Sequence, residues 1–165
     1  MSKDTRLSDL MLQELPSISY QKRLSYRTTK REVQHLYNLL NESIFNNKLP
    51  PCHIEVVARC RKYWGLCTAD DWNPDLNSKK SNCTIRVSDK WFCKQWLITI
   101  LAHEMCHQYQ YDVESYKRHK LGLRPIMSHG PTFFIFKEKL AKQGISLKKA
   151  HGSKKWFRHQ NLWKC

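Results

Sequence analysis

The 165-residue sequence has no CxxC pair, no apolar run long enough to span a bilayer, no internal repeat and almost no acid in its last third. Each absence excludes something. The seven cysteines, at 52, 60, 67, 83, 93, 106 and 165, are odd in number and lack the paired spacing of a cysteine-built zinc ribbon. Reduced and mostly buried thiols are the expectation, as in a reducing compartment. The longest uninterrupted apolar run, Trp96 to Ala102, falls far short of the roughly 20 residues a spanning helix needs. The opening residues alternate charge with apolar side chains and hold no signal-peptide core. An intracellular protein of the cytoplasm, nucleus or nucleoid is expected, neither secreted nor in a membrane.

Acids run out where bases do not. The net charge is +15, and residues 115–165 hold 13 Lys and Arg against the single acid Glu138. Positive charge confined in this way points to a polyanion-binding face. Its last stretch, "SLKKAHGSKKWFRHQNLWKC", sets Lys148, Lys149, Lys154, Lys155 and Arg158 among Trp156, Phe157 and Trp163. Cations that follow phosphates and rings that stack on bases suit DNA, single-stranded above all. A solvated basic surface with its aromatics packed on the domain is the plainer alternative.

The length fits one domain. Residues 1–27 show little periodicity and read as an N-terminal arm. Val33, Leu36, Tyr37, Leu40 and Ile44 follow helical spacing, and Pro50 and Pro51 end that pattern. "HIEVVARC", "YWGLCTA" and "CTIRVS" read as strands around a turn-rich loop. A long helix capped at Ser88 or Asp89 is expected to run to Asp112, apolar nearly all round and therefore buried. A second helix is expected in "HGPTFFIFKEKLAKQG", with Pro131 in its first turn and Gly144 just past its end. This order gives an α+β domain over 28–147 with one small sheet, a central helix and flanking helices, followed by the tail 148–165.

Within the central helix stands "HEMCH". His103 and His107, four apart, project from one face about 5–6 Å apart at Cβ and can hold one metal ion through two imidazole nitrogens. Glu104 lies beside that face, within reach of the proton of a water on the metal. Chance would supply about 0.016 such patterns in a chain of this composition. A catalytic zinc needs a third ligand. The position six residues on, where metzincins carry histidine, is Val113, and Glu114 is too close to fold back. His119, His129 and His151 are the downstream candidates, apart from His159 in the tail. His129 is favoured, because it precedes a segment whose Phe133, Phe136 and Leu140 can pack beside the first helix. Cys106, inside the motif, faces away and reads as a core residue.

"HEMCH" and "SHGPTFF", preceded by "NESIFNNKLPPCHIEV", "GLCTADDW" and "CTIRVS", resemble the SprT-like metallopeptidase domain, the protease core of Spartan-type enzymes. The resemblance runs from about Tyr37 to Leu140. It implies a zincin-like fold, one catalytic Zn²⁺ on His103, His107 and His129, and Glu104 as general base. It also implies hydrolysis of DNA-bound proteins, including those covalently trapped on DNA. Bacterial members carry a C-terminal cysteine zinc ribbon, which the basic and aromatic tail here does not match. Two functional readings stand: a DNA-associated zinc peptidase, and a non-catalytic zinc-containing component of a nucleic-acid assembly. A zinc hydrolase acting on another bond type is a third. Activation by DNA or a protein partner is expected of an intracellular protease. The strand before the active helix, "CTIRVS", is expected to form the edge on which an extended substrate pairs through its backbone.

Overall fold

A computed structural model of the protein describes residues 7–11, 26–58, 63–69, 81, 83–115, 121 and 127–151. The architecture is mixed α and β, with a two-stranded and a three-stranded sheet packed on helices. No helix among the described residues is long and apolar enough to cross a membrane.

The chain begins with a short helix, α1 (Leu7–Met11), whose Leu7, Leu10 and Met11 are buried in the core. Part of the expected N-terminal arm therefore packs on the domain. β1 (Tyr26–Arg27) pairs antiparallel with β5 (Lys90–Trp91). Thr29 then caps α2 (Lys30–Ser43), its side-chain oxygen accepting the Glu32 N–H at 3.2 Å. Glu32 accepts from the Tyr26 hydroxyl, from Thr28 Oγ1 at 2.8 Å and from Lys94 Nζ at 3.0 Å, so one carboxylate joins three elements. Burial pushes that carboxyl up, but these donors outweigh it and hold it below the usual range. The apolar stripe on α2 is the expected one, with Val33, Leu36, Tyr37, Leu40 and Ile44 all buried.

Beyond α2, Asn46 and Asn47 take left-handed φ values of 54° and 56°, a conformation asparagine tolerates better than most residues. The Asn41 amide holds the returning chain by donating to the Leu49 carbonyl at 3.0 Å and accepting its N–H at 3.2 Å. The Pro50 carbonyl that follows is an anchor. Gln108 Nε2 donates to it at 2.9 Å, and the Tyr37 hydroxyl lies 3.0 Å from it and 2.9 Å from Gln108 Oε1. The "NNKLPP" turn is thereby fastened to the helix that carries the histidines.

β2 (His53–Val57), β3 (Gly65–Ala69) and β4 (Cys83–Ser88) form the larger sheet in the order β2-β4-β3. β2 runs parallel to β4, and β3 antiparallel to it. This overturns the edge-strand expectation. "CTIRVS" is β4, paired on both sides, and its backbone has no free edge for a peptide; β3 lies at the edge.

The central helix, α3 (Lys94–Tyr109), starts later than Ser88 or Asp89 suggests. Ser88 closes β4, and Lys90–Trp91 pair with β1 before Cys93 takes the cap position. Every residue from Gln95 to Tyr109 is buried. Trp64, Trp91, Phe92 and Trp96 cluster at one end, and Phe45, Tyr109 and Phe136 at the other. Each fully buried Leu or Ile on such a helix contributes roughly 1.5–3 kcal/mol. A π-helical turn, Gln110–Glu114, continues α3.

The expected second helix is shorter than its pattern. Residues 127–137 form successive tight turns with i→i+3 bonds, including Gly130 N to Met127 O and Phe133 N to Gly130 O at 3.0 Å each. Only α4 (Lys137–Ala141) is α-helical. Its end matches expectation: Gly144 at φ 78° lets Ile145 N reach Leu140 O and Gly144 N reach Ala141 O, both at 3.0 Å.

Candidate metal centre

Two of the three site histidines stand on the most deeply buried helix. His103 and His107 are one turn apart on buried α3, with ring centroids 5.0 Å apart. His129 arrives on the tight turns after residue 127, its ring 5.4 Å from that of His103 and 4.7 Å from that of His107. One ligand atom from each of the three lies within 4.8 Å of the others, and this group could hold a metal ion. Three imidazole nitrogens at about 2.0–2.1 Å from a tetrahedral ion stand about 3.4 Å from one another. His103 Nε2 and His129 Nε2 are 3.4 Å apart, the separation of two such ligands.

The electrostatics favour lone pairs over protons. Burial holds His103 down to about 3, helped by the neighbouring His151, His107 and His129. Burial also lowers His107 and His129, with His129 adding to the first and Lys149 to the second. These shifts all favour the neutral imidazole, the state a metal requires. Phe133, fully buried, lies 4.6–4.8 Å from all three rings and forms an apolar floor. His107 Nδ1 is 3.0 Å from Gln110 Oε1.

Glu104 follows His103 on α3 and is 6% exposed. Burial raises its carboxyl to about 7, opposed by the Cys67 backbone N–H. A divalent ion nearby would pull it back down. The edge strand comes very close at this point. A Cβ on Gly65 would stand 2.7 Å from Ile100 Cγ2, 3.1 Å from Glu104 Cγ and 3.2 Å from its Oε1. Only glycine lets β3 lie this near the carboxylate.

Of the sequence candidates, His103, His107 and His129 are brought together, while Glu104 follows His103 on α3 and is buried against β3. His151 lies beside His103, 5.2 Å between centroids, but outside the three-histidine group; burial and Lys148 hold it down to about 4. Cys106 is in the core, its thiol pushed up by burial. Lys148 and Lys149 are described, whereas His119, Lys154, Lys155, Trp156, Phe157, Arg158, His159 and Trp163 lie outside the described residues. Sequence reasoning missed Gly65 and Gln110. A lone glycine in a strand signals a close backbone approach, and Gln110 stands three residues past His107, on the same helix face.

A comparison with curated proteins found no match. The SprT-like family matches residues 33–151, from the first buried residue of α2 to His151. That span covers most of the chain and includes every element that builds the histidine group: the chain belongs to the SprT-like family.

Proposed function

We propose that the chain is a zinc-dependent metallopeptidase on a zincin-like fold, acting on DNA-associated proteins, including proteins crosslinked to DNA. The observation that carries this reading is the group formed by His103, His107 and His129, with Glu104 next to His103 on the same helix and packed against an edge strand. Three neutral imidazoles suit zinc and leave a fourth coordination position open. A bound ion supplies Lewis acidity, polarising a scissile carbonyl and lowering the pKa of water toward about 7. Glu104, raised toward neutrality by burial, takes the proton of the attacking water and delivers it to the leaving amine. β3 offers its backbone for antiparallel pairing with an extended substrate, which brings a peptide bond past Glu104 with little dependence on side chains. Phe133 keeps water from beneath the imidazoles.

In this reading residues 28–147 are the catalytic unit. Lys148, Lys149, Lys154, Lys155, Trp156, Arg158 and Trp163 hold DNA, favouring single strands, and DNA or a protein partner switches activity on. Support comes from the charge distribution, and binding through it weakens steeply with salt. A site that only holds zinc for structure has no use for a buried carboxylate beside its ligands, which favours catalysis over a purely structural metal.

The test is cleavage of a basic DNA-binding protein by the full chain, with and without single-stranded DNA, alongside Glu104→Gln. The wild type should cut when DNA is present. The variant should retain zinc and lose about 10²–10⁴-fold in rate. Zinc-loaded wild type that cuts nothing under any condition would support the non-catalytic alternative.

A further inference from the structure

Gln110 engages both ends of its side-chain amide, and the proposed chemistry does not touch it. It is 2% exposed and opens the π-helical turn after α3. Its Nε2 donates to the Met127 carbonyl at 3.0 Å and to Thr132 Oγ1 at 2.9 Å. Its Oε1 lies 3.0 Å from His107 Nδ1. The orientation of this amide follows from its partners. A backbone carbonyl only accepts, so the group facing Met127 O must be the NH₂. The oxygen therefore faces His107, and an amide oxygen only accepts, so His107 Nδ1 must carry a proton. In a neutral imidazole that leaves the lone pair on Nε2.

We infer that Gln110 is a positioning residue with two linked tasks. It fixes His107 in the Nδ1–H tautomer, making Nε2 the ligand nitrogen, and it clamps the 127–132 segment that brings His129 to the helix. One amide thus aligns a ligand from α3 and a ligand from the tight turns. Partners of this kind around metal-ligating histidines typically change metal affinity about 10- to 100-fold when removed. The zinc arm of this inference rests on the proposed metal centre; the tautomer arm does not.

Two variants separate the tasks. Gln110→Leu keeps the bulk and removes every hydrogen bond. Gln110→Glu keeps an acceptor for His107 but loses both donors to Met127 O and Thr132 Oγ1. The experiment is imidazole ¹⁵N–¹H NMR of the full-length, metal-free protein at neutral pH, together with zinc titration. The wild type should show His107 as the Nδ1–H tautomer. Gln110→Leu should lose that single tautomer and bind zinc roughly 10- to 100-fold more weakly. Gln110→Glu should restore the tautomer while recovering only part of the affinity. An Nε2–H tautomer at His107 in the wild type overturns the inference, even where Gln110→Leu fails to fold. So does a Gln110→Leu protein whose tautomer and zinc affinity match the wild type. A wild type that shows the Nδ1–H tautomer but takes up no zinc contradicts the proposed function and leaves the tautomer assignment standing.

Discussion

The site joins two regions built by different means. His103, Glu104 and His107 stand on a helix buried on every side, held by aromatic clusters at both ends and by Gln108 to the Pro50 carbonyl. His129 stands on tight turns with Met127 and Ile135 exposed beside it, fastened through Gln110 and Phe133. The helix half gets its geometry from the core as a whole. The turn half gets it from a few specific contacts. The three-histidine group thus combines two members set by the core with a third set by a few contacts.

Removing a ligand from either half should have the largest effect, and the two halves should differ in what remains. His107→Ala and His129→Ala should both lose zinc on dialysis, read by metal analysis. The metal-free His107→Ala protein should also be less stable by about 1–3 kcal/mol, because a buried amide oxygen on Gln110 loses its donor. Metal-free His129→Ala should melt close to the wild type. Equal destabilisation of the two would mean that Gln110 does not distinguish the halves.

The core should show the same asymmetry. Leu101→Ala, at a fully buried position of α3, should cost about 2–5 kcal/mol in urea unfolding. Ile135→Ala, half exposed on the turns, should stay within about 0.5 kcal/mol. Comparable losses would contradict the contrast between a helix set by the core and a turn set by a few contacts.

That contrast also decided what could be read from the chain. The i, i+4 spacing of His103 and His107 is local, so one turn of helix fixes it. His129 was reached because few ligands remained downstream and an apolar segment followed it. The apolar pattern overstates the length of the second helix: Phe133 and Phe136 are three apart, a spacing that i→i+3 turns satisfy as well as an α-helix does. The position of β4 inside the sheet could not be read, because strand order is set by which distant segments pair, not by alternation within one strand. The cap at Ser88 or Asp89 failed for the same reason, since pairing of β5 with residues 26 and 27 claims the chain first.

Smaller effects probe the contact between sheet and helix. Gly65→Ala pushes a methyl group against Ile100 and Glu104, at a cost of about 1–3 kcal/mol. Activity should fall further than zinc affinity, because the carboxylate is displaced and the ligands are not. A variant with unchanged activity would show that β3 does not position Glu104.

The smallest effect is that of pH on the metal-free protein. His103 is held down to about 3 and His151 to about 4, against an ordinary value of about 6.5. Through these two rings the folded protein binds fewer protons than the unfolded chain, so their contribution is fully present above about 6.5 and declines as pH falls below it, while Glu104, raised to about 7, opposes them with one proton. Because two rings outnumber the one opposing carboxyl, urea midpoints should drop as pH falls from about 6 toward 5. A midpoint that rises on acidification would contradict the burial of these rings.

The most direct test of the central claim is X-ray absorption at the zinc edge on the full chain after zinc loading and dialysis, with the metal counted. The account predicts one ion per chain, with nitrogen and oxygen neighbours at about 2.0–2.1 Å. A chain that retains no zinc, or a first shell of sulfur at about 2.3 Å drawn from its seven cysteines, would contradict it.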